Sequence, residues 1–166
     1  MEQNRTGAAK VLYVNMTNTG NCKEIESCSM HMSQLQRDDM SNGLPDINYN
    51  FVVGFAGNVY VGRDFNNTAS RLERDDEEER NGIIIGIFGY QGRYQPPPPR
   101  TMAAVMNLVI CGMDNGSIAK DVKIRHEDNT SDPCKGSLGE RLQRMIASAY
   151  GAETAYNPTF ECVFSQ

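Results

Sequence analysis

The stretch from Asp46 to Phe65, DINYNFVVGFAGNVYVGRDF, constrains the fold of this chain more than any other. Apolar residues alternate with others along its first half, which predicts a β-strand with one face on the core: Ile47, Tyr49, Phe51 and Val53. Ala56-Gly57-Asn58 is typical of a tight connection. Val59 and Val61 then restart the alternation. The stretch therefore predicts a β-hairpin that continues into residues 62–65.

Composition narrows the class of protein. The chain has 166 residues, of which 39% are hydrophobic and 22% are charged, as in an ordinary globular domain. Its net charge of −5 argues against nucleic acid or an anionic membrane surface as the main partner. No apolar run is long enough to span a bilayer, and residues 1–10 lack the apolar core of a signal peptide. We therefore expect either a cytosolic chain, or a fragment or mature form without its targeting segment.

The other patterns predict three strands and three helices around the hairpin. Short apolar runs predict strands at 11–14, at 82–88 and around 122–124, and the unbroken run 82–88 is typical of a central strand covered on both faces. Helical spacing predicts helices over 23–37 and 101–113, and Ser137 with Glu140 forms a capping box for a third. The four prolines at 96–99 predict a stiff connector.

This order of elements predicts an α/β domain with a mixed central β-sheet and helices on both faces. The domain is expected over residues 10–150. Residues 1–9 are predicted to be a loose arm and residues 151–166 a weakly patterned tail.

Possible disulfides and N-glycosylation sequons indicate in which cellular compartment a chain is found. Cys22 and Cys28 are close enough in sequence for a small disulfide loop, although two separate buried thiols are equally compatible with the spacing. The cysteine count of five leaves at least one thiol unpaired or paired to another chain. Of five N-x-S/T sequons, the one at Asn15 ends a buried strand and is a poor glycan site. The remaining glycosylation candidates are Asn4, Asn66, Asn115 and Asn129.

The hairpin motif, D-I-x-Y-N-F-V-V-G-x-x-G-N-V-Y-x-G-R, resembles the central hairpin of the peptidoglycan recognition proteins. These share their fold with the zinc-dependent N-acetylmuramoyl-L-alanine amidases of phage type. The resemblance runs from about Lys10 to about Tyr150. It implies the peptidoglycan recognition fold, a Cys22–Cys28 disulfide and an extracellular location, since a close cysteine pair after the first strand is usual in the family.

The resemblance also locates the family's zinc site. The segment KIRHEDNTSDPCKG resembles the family's G-H-R-D…C-P-G motif, so His126 and Cys134 match metal ligands. Tyr49 matches the family tyrosine that assists the bound water or the substrate carbonyl. Asn15, however, stands where the family has a histidine, and Asp132 replaces a threonine or lysine. Because a neutral amide is a poor Zn²⁺ ligand, the resemblance implies a non-catalytic member with no metal or other cofactor.

With the metal lost, Cys134 is free to pair with Cys111 or Cys162, and the sequence does not choose between them. His31, on the first predicted helix, matches no ligand of the family and is expected to be a surface or partly packed residue.

Family members bind peptidoglycan in a groove that is walled by the first helix and by the loop after the hairpin. Here that loop lacks the family's G-A-H motif and is longer, and Asp38-Asp39-Met40 replaces Y-H-M. Composition alone favours a solvated loop or a short surface helix for the added acidic stretch. Because peptidoglycan stems are anionic, the resemblance implies a narrowed or filled groove. The added stretch consists of Glu73, Arg74, Asp75, Asp76, Glu77, Glu78, Glu79 and Arg80.

Three residues are candidate ligand contacts: Arg63, Phe65 and Arg71. Arg63 could instead pair with Asp64 or Asp46.

The main hypothesis is a non-catalytic ectodomain, secreted or membrane-anchored, that acts in innate immunity as a receptor or co-receptor for peptidoglycan. Its expected partners are a bacterial peptidoglycan fragment and another peptidoglycan recognition domain, in a heterodimer that the muropeptide bridges. One alternative is a receptor with an open groove that binds muropeptide alone. Another is an active zinc amidase in which Asn15 or a water completes the metal site.

Overall fold

A computed structural model describes residues 4–69, 76–90, 96–151 and 155–164. These residues form six strands and four helices. None of the helices in these ranges is both long and apolar enough to cross a bilayer. The elements in chain order are β1 (Ala9–Met16), α1 (Ile25–Ser41), β2 (Phe51–Val53), β3 (Val59–Val61), α2 (Glu77–Arg80), β4 (Ile83–Ile87), α3 (Pro99–Asp114), β5 (Ile118–Asp128), α4 (Leu138–Tyr150) and β6 (Thr159–Phe164).

The six strands form one mixed sheet in the order β3-β2-β4-β1-β5-β6. Only β2 and β3 pair antiparallel, and the other neighbours are parallel. One face carries an apolar cluster with α3 and α4, and the other carries a cluster with α1. The predicted α/β architecture, with helices on both faces of a mixed sheet, is confirmed.

The central strands are the apolar runs that the sequence singles out. Every residue of β4 is buried, and β1 is buried from Val11 to Val14. Parallel strands that are covered on both faces consist mainly of apolar residues. A polar side chain on either face would lose its hydrating water, which costs free energy.

The predicted hairpin is present, with Phe51 opposite Val61 and Val53 opposite Val59. Its predicted facing is wrong. Ile47 and Tyr49 lie in the cluster under α1, whereas Val53 lies in the cluster on the opposite face. The reason is that residues 46–50 are irregular and precede β2, so strict alternation does not extend through them.

The second strand of the hairpin also differs from the prediction. Val59 and Val61 are 40% and 63% exposed, and Tyr60 is the inward residue, packing against Phe88. Because β3 is the edge of the sheet, it has only one covered face.

Helix α1 begins later and extends further than predicted, so Asp38 to Ser41 continue the helix. Cys28 and Leu35 are buried as expected, but Ile25 is 67% exposed. The last proline of the predicted connector, Pro99, is the first residue of α3, where a missing backbone N–H costs nothing.

Both ends of the chain contribute contacts to the domain. The Arg5 guanidinium donates to the backbone carbonyls of Phe65, Asn81 and Ser117, at 2.5, 3.0 and 2.9 Å. Burial lowers the pKa of Arg5 from its usual value. Within the predicted tail, Thr159–Phe164 forms β6, parallel to β5. Residues 4–8 and 155–164 are thus packed against the domain.

Candidate functional site

Tyr49 lies across β4 on the face that α1 covers. Its side chain is buried, and a Cβ added to Gly86 would come within 2.9 Å of two Tyr49 ring carbons. Gly86 is also the register partner of Asn15 on β1, and Thr17 approaches it on the same side. Glycine at position 86 therefore allows the tyrosine ring to lie across β4 next to the register position of Asn15.

His126 lies on the other face of the sheet. Along β5 the buried side chains alternate, and Ile124 contacts Gly139 of α4. His126 has the same parity as Ile124, so it points to the α4 side, whereas Tyr49 packs under α1. The structure therefore separates Tyr49 and Asn15 from His126.

Cys134 is bonded to Cys162 of β6 in a disulfide. Cys162 is the register neighbour of His126, so the bridge closes the loop between β5 and α4 onto the edge strand. This answers the open pairing question: Cys162 is the partner, and Cys111 is a free, exposed cysteine. The structure also pairs Cys22 with Cys28.

A turn from Asn129 to Asp132 holds His126 in place. The Asn129 side-chain oxygen accepts hydrogen bonds from the backbone amides of Ser131 and Asp132, at 3.0 and 2.8 Å. This turn directs the Asp132 carbonyl oxygen to the His126 Nε2 atom at 2.8 Å, with the Asp132 carboxylate 3.4 Å away. The Nε2 atom of the buried imidazole is therefore occupied by a neighbouring residue of the same loop.

These residues do not fit a zinc site of the family type. Such a site needs two imidazoles and a thiolate around one metal ion with an open fourth position. Here one position carries the amide of Asn15, the cysteine sulfur is bonded to another sulfur, and His126 faces α4. The structure therefore does not bring Asn15, Tyr49, His126 and Cys134 together as a set of zinc ligands.

The acidic stretch folds against the sheet over its described part. Asp76 caps α2 by accepting from the Glu78 amide at 3.0 Å. Glu79 is buried, and its carboxylate accepts a hydrogen bond of 2.5 Å from the Tyr13 hydroxyl on β1. Glu78 approaches Lys123 of β5 at 3.7 Å. The stretch is thus a docked short helix, and Glu73, Arg74 and Asp75 lie outside the described residues, as does Arg71.

Arg125 lies beside this contact on the same face. Burial acts to lower the pKa of Arg125, but the hydrogen bond and charge of Glu161 at 2.8 Å outweigh it and raise the pKa. The charges of Tyr13 and Glu79 act in the same direction. This patch (Tyr13, Glu78, Glu79, Lys123 and Arg125) was not identified from the sequence, where Tyr13 is one residue of a buried apolar run.

Two of the candidate ligand contacts, Arg63 and Phe65, make contacts within the fold. Arg63 is 4% exposed and donates to the carbonyls of Ile47, Thr68 and Asp46, at 2.6, 2.9 and 3.4 Å. Phe65 packs on Phe51 with ring centroids 4.6 Å apart, in the cluster with α3 and α4. Both side chains are thus engaged within the fold, and their role as ligand contacts stays a prediction.

The acidic replacement at the end of α1 is also partly structural. One carboxylate oxygen of Asp39 accepts the Asn48 amide at 2.8 Å, just before Tyr49. Asp38 accepts from the Gln34 side chain at 2.6 Å, and Met40 is 52% exposed. His31 packs with its ring centroid 5.7 Å from that of Phe88. Asn4, Asn66, Asn115 and Asn129 are exposed, and their glycosylation stays a prediction.

The comparisons with known proteins agree with this fold. The family of N-acetylmuramoyl-L-alanine amidases matches residues 7–135. Peptidoglycan recognition protein 1 of Rattus norvegicus is 30% identical over 83% of this chain and 74% of its own length. The ectodomain of the Drosophila transmembrane receptor PGRP-LCa has a TM-score of 0.71 at 19% identity, covering 97% of this chain and 91% of its own.

A further solved structure is the ectodomain complex of the peptidoglycan recognition proteins LCa and LCx with bound tracheal cytotoxin. It has a TM-score of 0.68 at 23% identity and covers 75% of this chain and 73% of its own. The family match spans most of the chain. The chain therefore belongs to the peptidoglycan recognition protein family, with the N-acetylmuramoyl-L-alanine amidase fold.

Proposed function

We propose that this chain is a non-catalytic peptidoglycan recognition domain of innate immunity that acts outside the cell as a receptor or co-receptor. The observation that carries the proposal is the Cys134–Cys162 disulfide. It consumes the sulfur that an amidase of this family would offer to zinc as a thiolate. A second departure from the family's zinc ligands is Asn15, which stands where the family has a histidine at the end of the first strand.

The chemistry follows from these two positions. A zinc amidase relies on its metal to lower the pKa of a bound water and to polarise the amide carbonyl. The described residues provide no equivalent arrangement, because the Cys134 sulfur is in a disulfide and Asn15 stands in place of the first-strand imidazole. Amide cleavage would then depend on bulk water, which is too weak a nucleophile at neutral pH. A recognition role needs none of this chemistry.

The acidic helix α2 supports an altered groove. It docks on β1 through the buried Glu79 and leaves Glu77 and Glu78 toward solvent beside Lys123. Peptidoglycan stems carry carboxylates, so exposed carboxylates at the groove would repel them. Arg63, whose charge could have offset this repulsion, is 4% exposed and donates to backbone carbonyls within the fold. We therefore expect weak binding of muropeptide by this chain alone.

A co-receptor role follows if a second domain holds the ligand. One structure with this fold contains two recognition ectodomains together with a muropeptide. In such an arrangement this chain would contact a partner that presents the ligand, and its own groove need not accept it. The partner would be another peptidoglycan recognition domain.

The test is calorimetric titration of a diaminopimelate-type muropeptide into this chain. We expect no detectable heat from the folded chain alone. With an equimolar muropeptide-binding family member, we expect ligand-dependent formation of a heterodimer, measured by sedimentation. The double variant Glu77→Gln/Glu78→Gln removes two exposed carboxylates while keeping Glu79, and should show measurable binding if repulsion is the cause.

Micromolar binding by the unmodified chain would replace the co-receptor proposal with an independent receptor. Muropeptide amide cleavage that a chelator abolishes would contradict the non-catalytic assignment. Absence of a heterodimer at saturating muropeptide would contradict the proposed partner.

A further inference from the structure

The disulfide that replaces the family's thiolate lies beside a carboxylate. The side-chain oxygen of Asp128 and the sulfurs of Cys134 and Cys162 lie within 4.8 Å of one another. Asp128 accepts the Cys134 amide at 2.8 Å, which fixes its carboxylate at the mouth of the loop. In the part of the chain that the structure describes, no other set of three metal-ligating side chains is so close together.

We propose that reduction of the Cys134–Cys162 disulfide creates a binding site for Zn²⁺ or a similar thiophilic divalent cation. Its ligands are the two thiolates and the Asp128 carboxylate. Two sulfurs and one oxygen around a tetrahedral ion leave the fourth position for water. Thiolates favour Zn²⁺ over Mg²⁺ and Ca²⁺, which bind oxygen ligands.

The opening that this requires is small. The Cα atoms of Cys134 and Cys162 are 5.9 Å apart. Zn–S bonds of about 2.3 Å in tetrahedral geometry place two sulfurs about 3.8 Å apart. Rotation of the cysteine side chains can supply this separation, because Cys134 lies on a loop and Cys162 on the edge strand β6.

The site differs from the family's zinc site in its ligands and its position. It shares only Cys134, and it takes Asp128 and Cys162 in place of two histidines. Cys134 Sγ also lies 3.6 Å from the His126 carbonyl oxygen, which can accept a hydrogen bond from the reduced thiol. The His126 Nε2 atom stays with Asp132. The donor set is therefore complete without an imidazole.

The chemistry balances in two steps. A phosphine reductant transfers two electrons to the disulfide and takes up the oxygen of one water, leaving two thiols and a phosphine oxide. Binding of the cation then releases the two thiol protons, so the affinity rises with pH. In the oxidised chain neither sulfur can ligate as a thiolate, and the site is closed.

Co²⁺ titration of the reduced chain tests this proposal. We expect sulfur-to-cobalt charge-transfer absorption that saturates at one ion per chain, and no such absorption from the oxidised chain. Cys162→Ser should abolish the one-to-one saturation. Asp128→Asn should weaken binding by more than about tenfold, since even outer-shell partners of metal ligands contribute that much.

Matched controls separate this pair from the other cysteines. Cys22→Ser/Cys28→Ser keeps the proposed ligands and should retain the absorption, as should Cys111→Ser. If the reduced chain unfolds without metal, recovery of its circular dichroism on adding Zn²⁺ is the readout, again lost in Cys162→Ser. Absence of both signals, or equal signals in Cys162→Ser, would overturn the proposal.

Discussion

The two faces of the central sheet are built from different kinds of side chain. Under α3 and α4, aliphatic residues such as Leu12, Ile124 and Leu142 are completely excluded from solvent. Under α1 and α2, polar groups are buried among apolar ones, with the Tyr13 hydroxyl on Glu79 and the Tyr49 ring over Gly86. The first face is an aliphatic core, and the second, to which we assign the proposed groove and which we call the groove face, combines apolar packing with buried polar contacts.

This difference explains how the fold can be kept while the site changes. An aliphatic face requires that volume be filled, which many residue combinations achieve. A buried polar group requires a particular partner at hydrogen-bonding distance, so losing or gaining one changes the chemistry. Asn15 and Glu79 lie on the second face, and neither disturbs the packing of the first.

The largest expected difference between the faces is in packing energy. Leu142→Ala removes a fully buried side chain between α4 and the sheet, and should cost about 3–5 kcal/mol of unfolding free energy. Leu35→Ala, on α1, removes a side chain that is 7% exposed and should cost about 2–3 kcal/mol. Urea unfolding measures both losses of free energy, provided that the dependence of the unfolding free energy on urea concentration is the same in each variant. An equal or larger loss for Leu35→Ala would mean that the groove face contributes at least as much packing energy as the aliphatic face.

The disulfides give the next comparison. Cys134–Cys162 spans 28 residues, and its removal should cost about 3.5 kcal/mol from loop-closure entropy, against about 2 kcal/mol for Cys22–Cys28, which spans 6. The variants are Cys134→Ser/Cys162→Ser and Cys22→Ser/Cys28→Ser, compared by the same unfolding measurement. Equal losses would show that native-state contacts, and not loop length, decide the contribution of each bridge.

The central strands, which contribute side chains to both faces, are the most predictable elements. The run 82–88 and the residues 11–14 predict buried strands because an unbroken apolar segment has few other stable conformations. The Ser137 capping box marks the start of α4, where Ser137 accepts the Glu140 amide. Strand β6 was missed, because its pairing with β5 follows a long crossover that leaves no local pattern.

The groove face was predictable only in part. Resemblance to a family pointed to Asn15, Tyr49, His126 and Cys134, but it did not show that His126 faces α4 or that Cys134 pairs with Cys162. The Tyr13–Glu79 contact joins residues 66 positions apart. Contacts of that separation depend on the assembled sheet, and the composition of the acidic stretch pointed instead to a solvated segment.

The expected effect most specific to the groove face is the coupling between Tyr13 and Glu79. A double-mutant cycle of Tyr13→Phe and Glu79→Gln should give a coupling energy of about 1.5–3 kcal/mol, because the carboxylate and the hydroxyl are both buried. Urea unfolding of the two single variants and the double variant measures it.

The matched control is the neighbouring pair of Glu78 and Lys123. Their side chains are 42% and 46% exposed and 3.7 Å apart, so the cycle of Glu78→Gln and Lys123→Gln should give less than about 1 kcal/mol and should weaken with salt. A Tyr13–Glu79 coupling as small as this control would mean that α2 does not dock firmly on β1. The carboxylates of Glu77 and Glu78 would then not be held at fixed positions on the sheet, and their proposed repulsion of muropeptide would be weaker.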